Sequence, residues 1–176
     1  VRAILADRGT VTRARMFTAL AERLAAARQP PFDFAVIDGA QDLSVAQLRF
    51  LAALGGGRPD ALFFAGDLGQ RIFQQPFSWK ALGVDIRGRS RTLRVNYRTS
   101  HQIRSQADRL TAPTLADVDG NADDRGHTVS VFNGPPPTIE AVKNREEEGK
   151  AVADWLRTQA GDGLLPHEIG VFVRSE

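Results

Sequence analysis

Three short clusters in this sequence carry residue types and spacings suited to a phosphorylated ligand. The first is Val36-Ile37-Asp38-Gly39-Ala40-Gln41-Asp42. An Asp at the carboxyl end of an apolar strand can hold Mg²⁺, usually through water, beside nucleotide phosphates. A neighbouring acid can position or activate an attacking water. The same residues also suit a plain strand-to-helix turn in which Asp42 and Ser44 cap the following helix. The second cluster is Gly66-Asp67-Leu68-Gly69-Gln70-Arg71-Ile72-Phe73. A Gln just past a strand end can sense a terminal phosphate by hydrogen bonding. Phe73 and the later Trp79 offer faces on which bases stack, worth about 1–3 kcal/mol per base; as lone aromatics they serve equally as core or loop anchors. The third is Leu93-Arg94-Val95-Asn96-Tyr97-Arg98-Thr99-Ser100. Its Arg98 can meet a phosphate bidentately and offset charge in a transition state, and Tyr97 can stack on a purine. The simpler reading is a capped helix start with an exposed Arg.

Taken in order, D-x-x-Q-D, G-D-x-x-Q-x-I-F and N-Y-R-T-S resemble the second, third and fourth motifs of superfamily 1 DNA helicases of the UvrD/Rep type. Those usually show D-E-x-Q-D, G-D-x-x-Q-x-I-[YF] and N-Y-R-S. The terminal Glu168-Ile169-Gly170-Val171-Phe172-Val173-Arg174-Ser175 is similar to an early second-domain strand of the same family, so the likeness covers about residues 33 to 176. The resemblance implies a P-loop NTPase (RecA-like) α/β fold, incomplete and spanning parts of two RecA-like domains. It implies that Asp38 is the Mg²⁺-associated carboxylate, and that Gln41 and Asp42 organise the cleft. Gln70 would couple the γ-phosphate to the DNA track, with Phe73 and Trp79 facing bases. Tyr97 would stack on adenine and Arg98 would contact the γ-phosphate, which makes Gln70 and Arg98 the catalytic candidates. The implied ligands are ATP and Mg²⁺ in the full-length parent. The implied partners are single-stranded or partly duplex DNA, the remainder of the helicase chain and repair proteins. The implied activity is ATP-driven 3′-to-5′ translocation, in a cytoplasmic, nucleoid-associated setting. The rival expectation is a catalytically degenerate relative that binds DNA or protein without turnover.

Two departures bear on that expectation. Gly39 stands where the family carries its catalytic Glu, and a glycine has no carboxylate to orient water. No G-x-x-x-x-G-K-[ST] occurs within these 176 residues. The Gly149-Lys150 pair is followed by Ala151 and lies in a charged helical stretch rather than after a strand. Neither ATP nor Mg²⁺ is therefore expected to bind this chain tightly by itself. Five residues, Gln74 to Ser78, also lengthen the usual spacing before Trp79.

The elements that must position these clusters follow from periodicity. Met16, Phe17, Leu20 and Leu24 recur at helical spacing over 12–28, and Pro30-Pro31 stops that helix. Phe34–Ile37 and Ala61–Ala65 are short apolar runs of the kind found in buried parallel strands. Ser44 and Gln47 form a capping box ahead of an apolar face of Val45, Leu48, Leu51 and Leu54. A third strand is expected at 92–95, a helix capped by Thr99 and Gln102, a strand at 128–132, a helix over 139–159 and a strand at 168–173. The alternation predicts a parallel α/β sheet whose ligands bind beyond the carboxyl ends of its strands. The expected organisation is 1–110 as the latter part of a first domain, a polar linker at 111–127 and the start of a second domain at 128–176.

Composition sets wide bounds. Hydrophobic residues make up 42% and charged residues 25%, within the globular range. No apolar run is long enough to span a membrane, and the first residues do not read as a signal peptide. With no Cys and three scattered His, neither disulfides nor a cysteine-based zinc site is available. Net charge is only +2, yet seven of the 23 basic residues are arginines between Arg87 and Arg109, where the single acid is Asp108. Such a stretch suits phosphates or a solvated face equally.

Overall fold

A computed structural model describes residues 5, 7–71, 75–124 and 126–173. The chain is a mixed α/β protein that divides into two compact units, 1–136 and 137–176.

In the first unit, helix α1, Arg13–Ala26, has its first turn closed by Thr12 accepting from the Arg15 N–H. Strand β1, Ala35–Ile37, leads through a 3-10 turn at Ala40–Asp42 into helix α2, Val45–Gly55. Both halves of the expected capping box are present: Ser44 accepts from Gln47 N–H, and the Gln47 side chain accepts from Ser44 N–H at 3.0 Å. Strand β2, Leu62–Phe64, pairs with β1 in parallel, with Val36 opposite Phe63. Helix α2 supplies the crossover. Its Leu48, Leu51 and Ala52 pack with Ile37, Leu62 and Phe64 around a core of Ala40, Leu43, Trp79 and Val84. Helices α1 and α2 meet through Phe17 and Phe50, whose ring centroids lie 5.5 Å apart.

The two strands were expected to be buried on both faces, and they are not. Ile37 and Phe64 turn toward α2, whereas Val36 and Phe63 are 68% and 63% exposed. Among the described residues of this unit, helical cover lies on the side of Ile37 and Phe64, so the alternation of the pleat decides which residues are hidden.

Strand β3, Val95–Asn96, precedes helix α3, His101–Asp108. The cap is Ser100, one residue later than expected, accepting from Ile103 N–H. Ser100 is buried, and its Cβ and Oγ lie 3.1 Å from where a Cβ on Gly134 would sit. An antiparallel hairpin follows, β4 (Thr114–Ala116) and β5 (Ala122–Asp124), and then β6, Val129–Ser130, which pairs in parallel with β3. The stretch 111–127, expected to be a linker, thus holds the hairpin and lies inside a strand–helix–strand unit, while the division between units falls at Pro136. Asp117 builds the hairpin turn: it accepts from the backbone N–H groups of Asp119 and Asn121 and from the Asn121 amide, all within 2.9 Å.

The second unit contains helix α4, Arg145–Gly161. It starts six residues later than expected, because Asn144 caps it through Glu147 N–H at 2.9 Å and Glu146–Glu148 place three acids at the positive helix end. The anticipated strand at 168–173 is replaced by a 3-10 turn, Pro166–Glu168, and unpaired chain through residue 173. A strand needs a ladder partner, and among the described residues this unit has none. No described helix is long and apolar enough to cross a membrane.

Candidate functional site

Asp38 to Asp42 and Asp67 to Gln70 emerge from the carboxyl ends of two adjacent parallel strands. The β1–β2 ladder runs on past the strands, with Ala65 N–H bonded to Ile37 O at 2.8 Å and Ala40 N–H to Ala65 O at 2.9 Å. That continuation brings the two loops side by side. The Gln41 side-chain oxygen then accepts from Asp67 N–H at 3.3 Å, a direct bond between the two clusters. Gly66 permits this approach. A Cβ there would sit 2.8 Å from Gln41 Oε1 and 3.1 Å from the Gln41 nitrogen, so a side chain would displace the Gln41 amide from its bond to Asp67 N–H.

Inside the second loop, Asp67 accepts from Gly69 N–H at 2.8 Å and from the Gln70 amide at 2.9 Å. Gln70 is exposed, and its side-chain amide donor is held by Asp67. Arg71 lies with its guanidinium carbon 5.3 Å from the Phe77 ring centroid and donates to Gln41 O at 3.5 Å, which ties the end of this loop back to the first.

Asp38 is exposed, and one of its oxygens accepts from Gly39 N–H at 2.9 Å. The other oxygen has no hydrogen-bond partner among the described residues. An outward carboxylate of this kind fits Mg²⁺ held largely by water and phosphate oxygens, which needs only one or two protein carboxylates. Among the described residues no three His, Asp or Glu side chains gather to enclose a metal. Gly39 adopts the left-handed conformation, φ 69° and ψ 32°, with open space where a Cβ would lie.

The remaining candidates are placed differently. Trp79 is in the core at 8% exposure, its ring edge-on to Phe64 with centroids 4.9 Å apart, so the anchoring role applies and no ring face is open to a base. Phe73 lies outside the described residues. Tyr97 is 75% exposed, and Arg98 is exposed just after β3, where Asn96 accepts from the Arg98 and Thr99 N–H groups at 2.9 and 3.0 Å. Among the described residues no hydrogen bond or ion pair joins Tyr97 or Arg98 to Asp38, Gln41 or Gln70.

The arginine-rich stretch is partly neutralised. Asp85 takes Arg87 in a fork at 2.6 and 2.9 Å, which holds the Asp85 carboxyl well below the usual range; Asp60 pairs with Arg89, and Asp108 with Arg104 at 2.6 Å. Arg91 and Arg98 form no ion pair among the described residues, and Arg94 acts on the Asp124 carboxylate only at longer range.

One residue that motif reading passes over is Asp119, in the hairpin turn. It accepts from Ser78 Oγ at 2.5 Å, Trp79 N–H at 2.7 Å and Lys80 N–H at 3.0 Å. These donors, the Ser78 hydroxyl first, hold its carboxyl below the ordinary value of 3.8. Only the turn signature Asp117-Val118-Asp119-Gly120-Asn121 could have flagged it, and that marks the turn, not its target.

No protein-family model and no curated protein matches this sequence, so the likeness to UvrD/Rep-type helicases stands on the motifs alone.

Proposed function

We propose that this chain is part of a superfamily 1 DNA motor of the UvrD/Rep type with RecA-like architecture, contributing the Mg²⁺ side and the γ-phosphate side of an ATP site together with single-strand contacts. The observation that carries the reading is the meeting of the first two motif loops at adjacent parallel strand ends, joined by the Gln41–Asp67 bond. Ligands of parallel α/β sheets bind at such ends. Asp38 would hold Mg²⁺ there, which neutralises charge on phosphate oxygens. Gln70 responds to a phosphate by exchange: its amide donor leaves one Asp67 oxygen for a phosphate oxygen. Such a swap converts the arrival of a ligand into a change of loop conformation. Arg98, exposed and in no ion pair among the described residues, offers the fork a phosphate needs. In the parent motor these changes would drive 3′-to-5′ movement on single-stranded DNA in the cytoplasm, alongside repair proteins.

A second reading is favoured by Gly39. Nothing at that position can orient water, so a relative that binds DNA without turnover is the alternative, and it shares the DNA contacts.

Fluorescence anisotropy of a labelled single-stranded oligonucleotide tests both. The chain should bind, lose most of its affinity between about 50 and about 200 mM salt, and weaken by about 1–3 kcal/mol on Phe73→Ala. Absence of binding at low salt, or binding indifferent to Phe73, would defeat both readings.

A further inference from the structure

The β4–β5 hairpin touches each side of the candidate site. β4 runs beside the 68–70 turn that carries Gln70. The hairpin turn grips the segment after that loop through Asp119, which takes three donors from residues 78–80, some forty positions earlier in the chain. That grip seats Trp79 against Phe64, at the end of β2 and three residues before Asp67. On the other strand of the hairpin, Asp123 accepts from Thr92 Oγ1 at 2.8 Å, three residues before β3 begins and six before Arg98. Asp117 stiffens the turn that carries Asp119, and pairing of β5 with β4 carries Asp123 on from that turn.

Resting on the roles proposed above for Gln70 and Arg98, we propose that the hairpin is a clamp, with Asp119 and Asp123 as positioning residues that fix the Gln70 loop relative to the strand carrying Tyr97 and Arg98. No hydrogen bond or ion pair joins those two segments directly among the described residues; the hairpin bonds to one and runs beside the other. A displacement at the 68–70 turn is thereby transmitted through the hairpin to residues 92–98. Neither carboxylate touches ligand.

Asp119→Asn should preserve the grip. Its amide oxygen can take the Trp79 and Lys80 N–H groups while its NH₂ donates to Ser78 Oγ, which already accepts from Ala81 N–H. Asp119→Ala removes it.

Amide hydrogen exchange of the whole chain, read peptide by peptide, tests the clamp. Asp119→Ala should speed exchange about tenfold at 78–82 and also at 92–98, with α1 and α2 unchanged and Asp119→Asn close to the unsubstituted protein. Asp123→Ala should do the converse, loosening 78–82 from the far side. Loosening confined to the residues bonded to each substituted carboxylate would overturn the proposal. If Asp119→Ala unfolds the chain, the Asp123→Ala result at 78–82 decides. Exchange is measured without ligand, so a chain that fails to bind oligonucleotide would sink the motor reading while leaving the clamp to be judged separately.

Discussion

Gly39 and Trp79 show how far a residue's type determines its role. At Gly39 the backbone sits in the left-handed region, where a Cβ crowds the following carbonyl, although space around the position is open. Gly39→Ala should therefore destabilise the fold by about 1–2 kcal/mol, seen as a lower urea midpoint with an unchanged slope. An unchanged midpoint would mean that the turn relaxes freely. A Glu at this position would meet the same strain. Trp79 was expected to face a base and instead fills the core. Trp79→Ala should cost about 3–5 kcal/mol, as large-to-small core substitutions do, whereas a stacking residue on the surface would leave the thermal midpoint near its original value. Sequence alone could not separate these roles, because an aromatic beside a loop looks the same in either. What separates them is the Asp119 bond, formed by a residue forty positions away.

At the scale of elements, the legible parts were those with local causes. The α2 helix was fixed in advance by Ser44, Gln47 and an apolar stripe, all within its own span. The cap of α3 was missed by one residue, since Thr99 and Ser100 are both competent. The start of α4 was missed by more, because apolar periodicity continues through Ile139 and Val142 while the cap is Asn144. The β4–β5 hairpin was illegible: apart from Thr114 its strands are built of Leu, Ala and Asp, which do not favour strands, and the Asp117 turn and the Asp119 grip hold it. That grip should respond to pH. The folded protein holds the Asp119 carboxyl below its ordinary value of 3.8, so it binds a proton less readily than the unfolded chain does. Its stabilisation is therefore complete above that ordinary value and fades as pH falls toward the lower folded one. Urea unfolding from about pH 5 down to about pH 3 should show the unsubstituted protein losing more stability than Asp119→Asn. Parallel slopes for the two would remove Asp119 from the account.

Across the whole molecule, the pairing of β1 with β2 was legible because two apolar runs ending in Gly or Asp, separated by a capped helix, have few other ways to fold. The organisation into units was not. Whether 111–127 joins or separates its neighbours depends on β3 pairing with β6, a contact between segments more than thirty residues apart. The exposed Val36 and Phe63 and the unpaired chain at 169–173 likewise escape local patterns, since each depends on what packs nearby. The loops at Asp38–Asp42 and Asp67–Gln70 are proposed to form one phosphate-responsive site. A titration of the ¹⁵N-labelled chain with Mg-ATP, followed by NMR, tests it directly. Weak binding is expected, looser than about 1 mM, with shifts concentrated on the Gly39 and Gly69 amides, the Gln41 and Gln70 side-chain amides and the Arg98 guanidinium. Shifts centred elsewhere, or none at any of these groups, would contradict it.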